Sequence, residues 1–407
     1  MSGRPGSVMV GVDVAVGLVL GVSLGCVSGL TPGVHANAFA LMLAGVAPSM
    51  PGSSLAVGVA VLGAGVTHSF VDVVPAISLG VPDAAMAATA LPGHRLVLEG
   101  RGREALRVSA LGSLGACAFA LVAAWPVTEA MRVLVPVLNA HLAVVLVVAT
   151  LALAATERSW RHRGAAVVVA ALAGGFGALA LDVDVSGPLG ESALAAIFGG
   201  LFGAPVLLDA LEGDGVPPQG DAAVRGSPVA LAGAALAGTA GGGAVGYLPG
   251  VSSGVAAVLA LAVVPGDAGD RGYLATVSGV NTANSIFAVF ALVAFGTPRT
   301  GVLVAFDDIG APLVLPVLVA AVVVAGVAGA LVVVTVGDRY LAVVGAADQR
   351  TVVALALLAL ALAAWTFGGV VGCCLFAVAT VVGLAPVRLG VKRVHLMSVL
   401  TLPIALG

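Results

Sequence analysis

The stretch "GLTPGVHAN", residues 29–37, interrupts a chain that is otherwise close to continuous hydrocarbon. An apolar run, 8–29, leads into it and another, 38–47, leaves it. At positions 246–254, 217 residues after Gly29, the chain writes "GYLPGVSSG". Proline cannot donate a backbone hydrogen bond and suits the first turn of a new helix. Thr31 stands before Pro32 as a candidate N-cap. The pattern is therefore helix, break and new helix start, at Pro32-Gly33 and again at Pro249-Gly250. Residues 34–47 are too few to span a bilayer, and they read as a re-entrant segment covered by protein.

Composition supplies the solvent. Hydrophobic residues make up 60% of the chain and charged residues 9%, with a mean hydropathy of +1.16. Soluble domains carry about 25% charged residues, so most of this surface faces lipid. The stretches 8–29, 106–125, 133–155, 164–181, 229–247, 313–336 and 352–371 each approach the ~20 residues that a spanning helix needs. They read as helices, because an open sheet leaves its backbone unsatisfied in lipid. The expectation is an all-α polytopic protein of the cell membrane with about ten to twelve transmembrane helices. The first apolar run is too long and glycine-rich for a signal peptide and is expected to be retained. Cys26, Cys117, Cys373 and Cys374 lie in apolar stretches without metal-ligand spacing and read as packing residues. No Walker sequence, dinucleotide fingerprint or zinc spacing occurs. No basic face offers itself to nucleic acid.

The two breaks belong to an internal repeat. Gly21, Gly25 and Gly29 match Gly238, Gly242 and Gly246, and Pro32-Gly33 matches Pro249-Gly250, all at an offset of 217. A second block matches Ser69 to Ser285, Gly80 to Gly296 and Pro82 to Pro298 at an offset of 216. The halves are read as residues 8–212 and 229–407, joined by a polar linker, 213–228. Gly17, Gly21, Gly25 and Gly29 make one bare helix face that a neighbouring helix can approach closely. Arg95, Arg101, Arg103 and Arg107 form one basic loop, and Arg158, Arg161 and Arg163 the next. Both are expected in the cytoplasm. The loop matching the first carries Arg299, then Asp307-Asp308, which points to an inverted repeat.

Broken helices inside repeats mark the binding site of a transporter. The N–H groups and positive dipole end of a half-helix attract carboxylate or phosphate. Thr31, Pro32, Gly33, His35 and Asn37 at the first break are candidate substrate residues, as are Pro249, Gly250, Ser252 and Ser253 at the second. Asn281 and Asn284 join them from one helix face. His68 and Asp72, spaced i,i+4 in an apolar run, are candidates for ion coupling through H+, with Na+ the other coupling ion; no resident cofactor or metal is expected. His94 reads as surface or gate. Gly250–Gly254 also fits G-x-S-x-G, but no strand precedes it as a hydrolase elbow requires, so the chain is not read as an enzyme.

The Pro-Gly breaks, together with "SLGVPDAAMAATALPGHRLVLEGRGREAL" (78–106), Leu91-Pro-Gly-His94 and the Asn281/Asn284 region, resemble the TctA-type permease subunit of tripartite tricarboxylate transporters, especially its short archaeal relatives. The resemblance implies a permease that moves an organic anion, coupled to an ion gradient. It also implies an extracytoplasmic binding protein and a small membrane subunit as partners. Polyprenyl-phosphate translocases use similar duplicated breaks, so a lipid phosphate is the alternative substrate. A non-transporting membrane protein or intramembrane enzyme is the third reading.

Overall fold

The structure is a computed structural model that describes residues 5–32, 34, 39, 40, 43, 45–47, 50–80, 90–188, 191, 193–211, 216–248, 253, 256, 257, 260 and 269–406. The described residues form helices and connecting turns. In chain order these are α1 (Pro5–Leu30), α2 (Ser54–Val71), α3 (Val73–Leu79), α4 (Ala90–Leu98), α5 (Gly102–Ala140), α6 (Leu142–Ala155) and α7 (Trp160–Ala180). A composite helix follows, in which α8 (Leu194–Phe198) and α9 (Ala204–Ala210) are joined by a π turn at Gly199–Gly203. The second half holds α10 (Pro228–Tyr247), α11 (Gly269–Phe295), α12 (Gly301–Asp308), α13 (Leu315–Ala346), α14 (Gln349–Gly383), α15 (Ala385–Leu389) and α16 (Ser398–Leu406).

Among the described residues, eight helices are long and apolar enough to cross a membrane, and three shorter apolar helices accompany them. Two span boundaries differ from the hydropathy reading. Residues 106–125 and 133–155 are not separate spans, because α5 runs unbroken from Gly102 to Ala140 through Pro126 and Pro136. The break falls instead at His141, ahead of α6. Hydropathy sees apolar length, whereas helix continuity is set by backbone hydrogen bonds. The stretch 352–371 lies inside the longer α14, which turns at Gly369 (φ 58°, ψ −148°), a backbone conformation open to glycine.

The glycine faces work as close-packing surfaces. α1 lies on α2 with Gly21 at the Ala60 carbonyl, Gly25 at the Ala64 carbonyl and Gly29 at the His68 carbonyl. α10 lies on α11 with Gly238 at the Thr276 carbonyl, Gly242 at the Val280 carbonyl and Gly246 at the Asn284 carbonyl. Every one of these pairs maps onto its mate by the offsets read from the sequence. A Cβ at most of these glycines would collide with backbone, which is rigid, so no side chain can be traded in cheaply. The second block recurs too: Gly80 (φ 69°) and Gly296 (φ 65°) both turn the chain in the left-handed region, each two residues before a proline.

The long helices then exchange partners. α5 packs against α11, with Gly112 at Ala275, and Ser109 and Ser278 hydroxyls hydrogen-bonded at 2.8 Å. α13 packs against α2, with Gly326 and Gly329 receiving the ring of Phe70. Gly112 and Gly329 are again 217 residues apart. Each long helix therefore lies on the glycine-paired helix of the other half, and the core of buried apolar residues runs through both. The remaining elements form a flank, where α7 takes α16 at Gly174 and Gly177, and α14 takes the π turn at Gly200.

Candidate functional site

α1 ends at Leu30, directly before the first break. Thr31 donates its hydroxyl to the Val27 carbonyl at 2.7 Å, tying the break to the last turn of α1, and Pro32 follows it in a turn. α2 ends beside it: at Asp72 the chain turns into α3, and Asp72 forms the junction of the two helices. Gly33, His35, Asn37, Pro249, Gly250 and Ser252 lie outside the described residues.

The described candidates form a buried polar seam. His68 is fully buried and hydrogen-bonded through Nδ1 to the Ser28 hydroxyl at 2.9 Å. Asp72 is 4% exposed. Asn281, from the middle of α11, donates Nδ2 to the Ser69 carbonyl at 3.1 Å and lies 3.5 Å from the Asp72 carboxylate. One helical turn further along, Asn284 donates Nδ2 to the Ser253 hydroxyl at 3.2 Å. Thr67 donates to the Ala325 carbonyl at 3.4 Å, which brings α13 to the same place. Polar and ionisable groups at membrane depth are costly and concentrate on substrate and ion pathways.

His68 and Asn284 are repeat mates, and each meets a serine beside its own half's break. Asn281 crosses to the other half. The structure thus brings together Asn281, Asp72 and Ser69, and, one turn further along α11, Asn284 with Ser253. Of the i,i+4 pair His68 and Asp72, His68 is bonded to Ser28 of α1, and Asp72 lies beside Asn281 of α11. Ser28 carried no sequence signal, because a serine in a glycine-rich helix is ordinarily a packing residue.

The basic loop is more than a topology signal. Glu104, 2% exposed, accepts from Arg101 at 2.9 and 3.0 Å, from Arg271 at 2.6 Å and from the Arg225 backbone at 2.9 Å. Gln219 of the linker caps α5 by accepting from the Gly102 backbone at 2.7 Å, and donates to the Val97 carbonyl at 3.1 Å. The linker is thereby tied to the first half's arginine loop and, through Arg271, to the start of α11. His94 donates Nδ1 to the Ile77 carbonyl at 2.7 Å. Burial pushes its imidazole below the usual value, against the opposing pull of that carbonyl, so it is a neutral structural donor at pH 7. Among the described residues no group of three or more His, Cys, Asp or Glu could hold a metal ion.

A bundle of membrane-crossing helices, with glycine-packed repeat mates and a buried polar seam where the first helix of a half breaks, defines a multi-pass membrane transport protein. The chain belongs to the tripartite tricarboxylate transporter TctA family, whose model matches residues 16–398. It is similar to an uncharacterized protein of Methanocaldococcus jannaschii, with 27% identity over 290 residues, 70% of each chain. No solved structure matches the chain. The family works in the cell membrane as one component of transporters that contain other subunits.

Proposed function

We propose that this permease moves a small organic anion of the carboxylate type, coupled to an ion gradient, with the anion held near the two Pro-Gly breaks. The observation that carries the reading is the position of α11. Its Asn284 is bonded to Ser253, three residues past Gly250, while its Asn281 touches Asp72 and the Ser69 carbonyl of the other half. One helix therefore links the second break to the buried acid of the first half. A bound anion beside Ser253 would bear on Asn284, and a cation or proton at Asp72 would bear on Asn281, one turn away. His68, Asp72 and the Asn281 amide are the coupling groups, for H+ or Na+. Half-helix N–H groups at Gly33 and Gly250 would receive the carboxylate. An extracytoplasmic binding protein and a small membrane subunit are the proposed partners, in line with the family's tripartite systems.

Reconstituted protein should accumulate a labelled mono-, di- or tricarboxylate in proteoliposomes, driven by an imposed proton or sodium gradient. Asn281→Ala should weaken the dependence on the gradient more than it weakens substrate affinity. Gradient-independent uptake by wild type, or no carboxylate uptake alongside flipping of a polyprenyl phosphate, would overturn the proposal.

A further inference from the structure

A groove of about 320 Å³ runs between α5 and α13, the helices that exchange partners between the halves. From α5 it is lined by Arg107, Leu111 and Leu114, and from α13 by Val327, Leu331 and Val334. Leu111, Val327 and Leu331 are each about half exposed, so the groove opens sideways, on stretches long and apolar enough to cross the membrane. Its volume is roughly twice that of an apolar cavity that takes up benzene, and its shape follows two helices, as a hydrocarbon chain would.

One end of the groove carries charge. Arg107 donates to Asp338 through both terminal nitrogens, at 3.0 and 2.9 Å, so this pair is locally neutral. Arg103 next to it has no acidic partner among the described residues. Arg103, one turn before Arg107 on the same face of α5, has a buried Nε–H with no hydrogen-bond partner among the described residues. Glu104, the nearest acid on α5, is consumed by Arg101 and Arg271. Val224 of the linker closes the same end, next to Arg225, whose exposed guanidinium reaches Asp221 at only 3.6 Å. A slot in the membrane lined by aliphatic side chains, ending at Arg107 and beneath the unpaired Arg103, matches one class of molecule: an acyl or alkyl chain bearing an anionic head.

We infer that the groove between α5 and α13 is a binding site for an anionic membrane phospholipid, with a chain along Leu111, Leu114, Val327 and Leu331 and the phosphate at Arg103. Basic pockets between spanning helices recognise anionic headgroups in this way. The chain supplies contact area and the guanidinium supplies selectivity for charge. Because α5 and α13 come from different halves, the lipid would bridge them, and it is separate from the polar seam at Asn281.

Native mass spectrometry of the full-length protein in neutral detergent tests this, with phosphatidylglycerol and phosphatidylcholine of identical chains as probes. Phosphatidylglycerol should bind about fivefold or more tightly than phosphatidylcholine, and Arg103→Gln should remove about fivefold of its affinity. Ala330→Phe, which fills the groove, should lower binding of both lipids. Leu331→Trp on the exposed rim should do the same if the first variant is poorly folded. Glycerol 3-phosphate at the same concentration should not compete, since it lacks the chain. Equal affinity for the two lipids, unchanged binding in Arg103→Gln and the groove-filling variants, or competition by glycerol 3-phosphate would overturn the site. So would a detergent-resistant dimer that Leu331→Trp dissociates, because the groove would then hold a second copy of the chain.

Discussion

Asn281 Nδ2 lies 3.1 Å from the Ser69 carbonyl, and this hydrogen bond joins the second half of the chain to the first, 212 residues away, where α2 gives way to α3. A carbonyl oxygen has two lone pairs, so the Ser69 carbonyl can accept from a partner on another helix where the chain passes from α2 into α3. The same amide lies 3.5 Å from the Asp72 carboxylate. A carboxylate held this deep depends strongly on what faces it, so the Asn281 amide is well placed to sense its charge.

Asn284 and Ser253 should behave as one unit. Asn284→Ala or Ser253→Ala alone should weaken substrate binding by about 0.5–1.5 kcal/mol, roughly 2- to 13-fold. The double variant should cost little more than either single one, because the bond between them is lost once. Substrate titration of uptake in proteoliposomes measures this, and fully additive losses would separate Ser253 from Asn284.

Backbone approach should matter more than side-chain charge at the breaks. Gly33→Val and Gly250→Val place bulk beside the backbone N–H groups proposed to receive the carboxylate and should abolish transport in protein that still inserts and folds. Wild-type uptake by the folded variants would reduce both breaks to turns.

Replacing Glu104 should loosen the knot that ties the linker to both halves. Glu104→Ala removes acceptors used by Arg101, Arg271 and the Arg225 backbone. The expected loss is about 1.5–3 kcal/mol, the scale of hydrogen bonds to a charged group. A thermal melt in detergent should show a lower Tm, and Glu104→Gln, which keeps one acceptor, should lie between. A Tm equal to wild type for Glu104→Ala would show that the knot is dispensable.

Acid should release the C-terminal segment. Among the contacts outside the spanning helices, His395 donates Nε2 to Glu157 at 2.9 Å, and Glu157 also accepts from the Lys392 backbone at 3.0 Å. His395 is 1% exposed, and its Nδ1 is buried without a partner. Burial drives the His395 imidazole below its usual value, while Glu157 pulls the other way. For Glu157, burial raises the carboxyl, and the Lys392 and His395 hydrogen bonds outweigh it and leave the carboxyl below its usual value. Both groups bind protons more readily in the unfolded chain, so their stabilisation is present in full above about pH 6.5, the unfolded histidine value. It is lost as pH falls through the lowered folded values. Protease cleavage around Arg393 should therefore rise between neutral pH and pH 5, and His395→Gln should flatten that rise. Cleavage independent of pH in wild type would remove the device.

The membrane class, the glycine faces and the 216- and 217-residue offsets were all legible in the chain, because each is a local property of residue type and spacing. Gly21, Gly25 and Gly29 announce close approach whatever they approach, and Gly80 with Gly296 announces a turn in both halves. The sequence by itself thus determined that helices of this chain pair twice in the same manner. It did not determine which long helix covers which pair. In lipid no hydrophobic force distinguishes one apolar helix face from another, so partner choice rests on shape and a few polar bonds. Those bonds join residues far apart in the chain: Ser109 to Ser278, Asn281 to Ser69, Glu104 to Arg271. The arginine loop reads chiefly as topology because positive charge is visible in a sequence and the acid that gathers it is not. The i,i+4 rule marks His68 and Asp72 as neighbours on one helix, but their partners from other helices, Ser28 and Asn281, are set by packing. Only the tertiary structure decided that the halves are interleaved, since the exchange of α5 and α13 is a matter of packing between surfaces that composition makes equivalent.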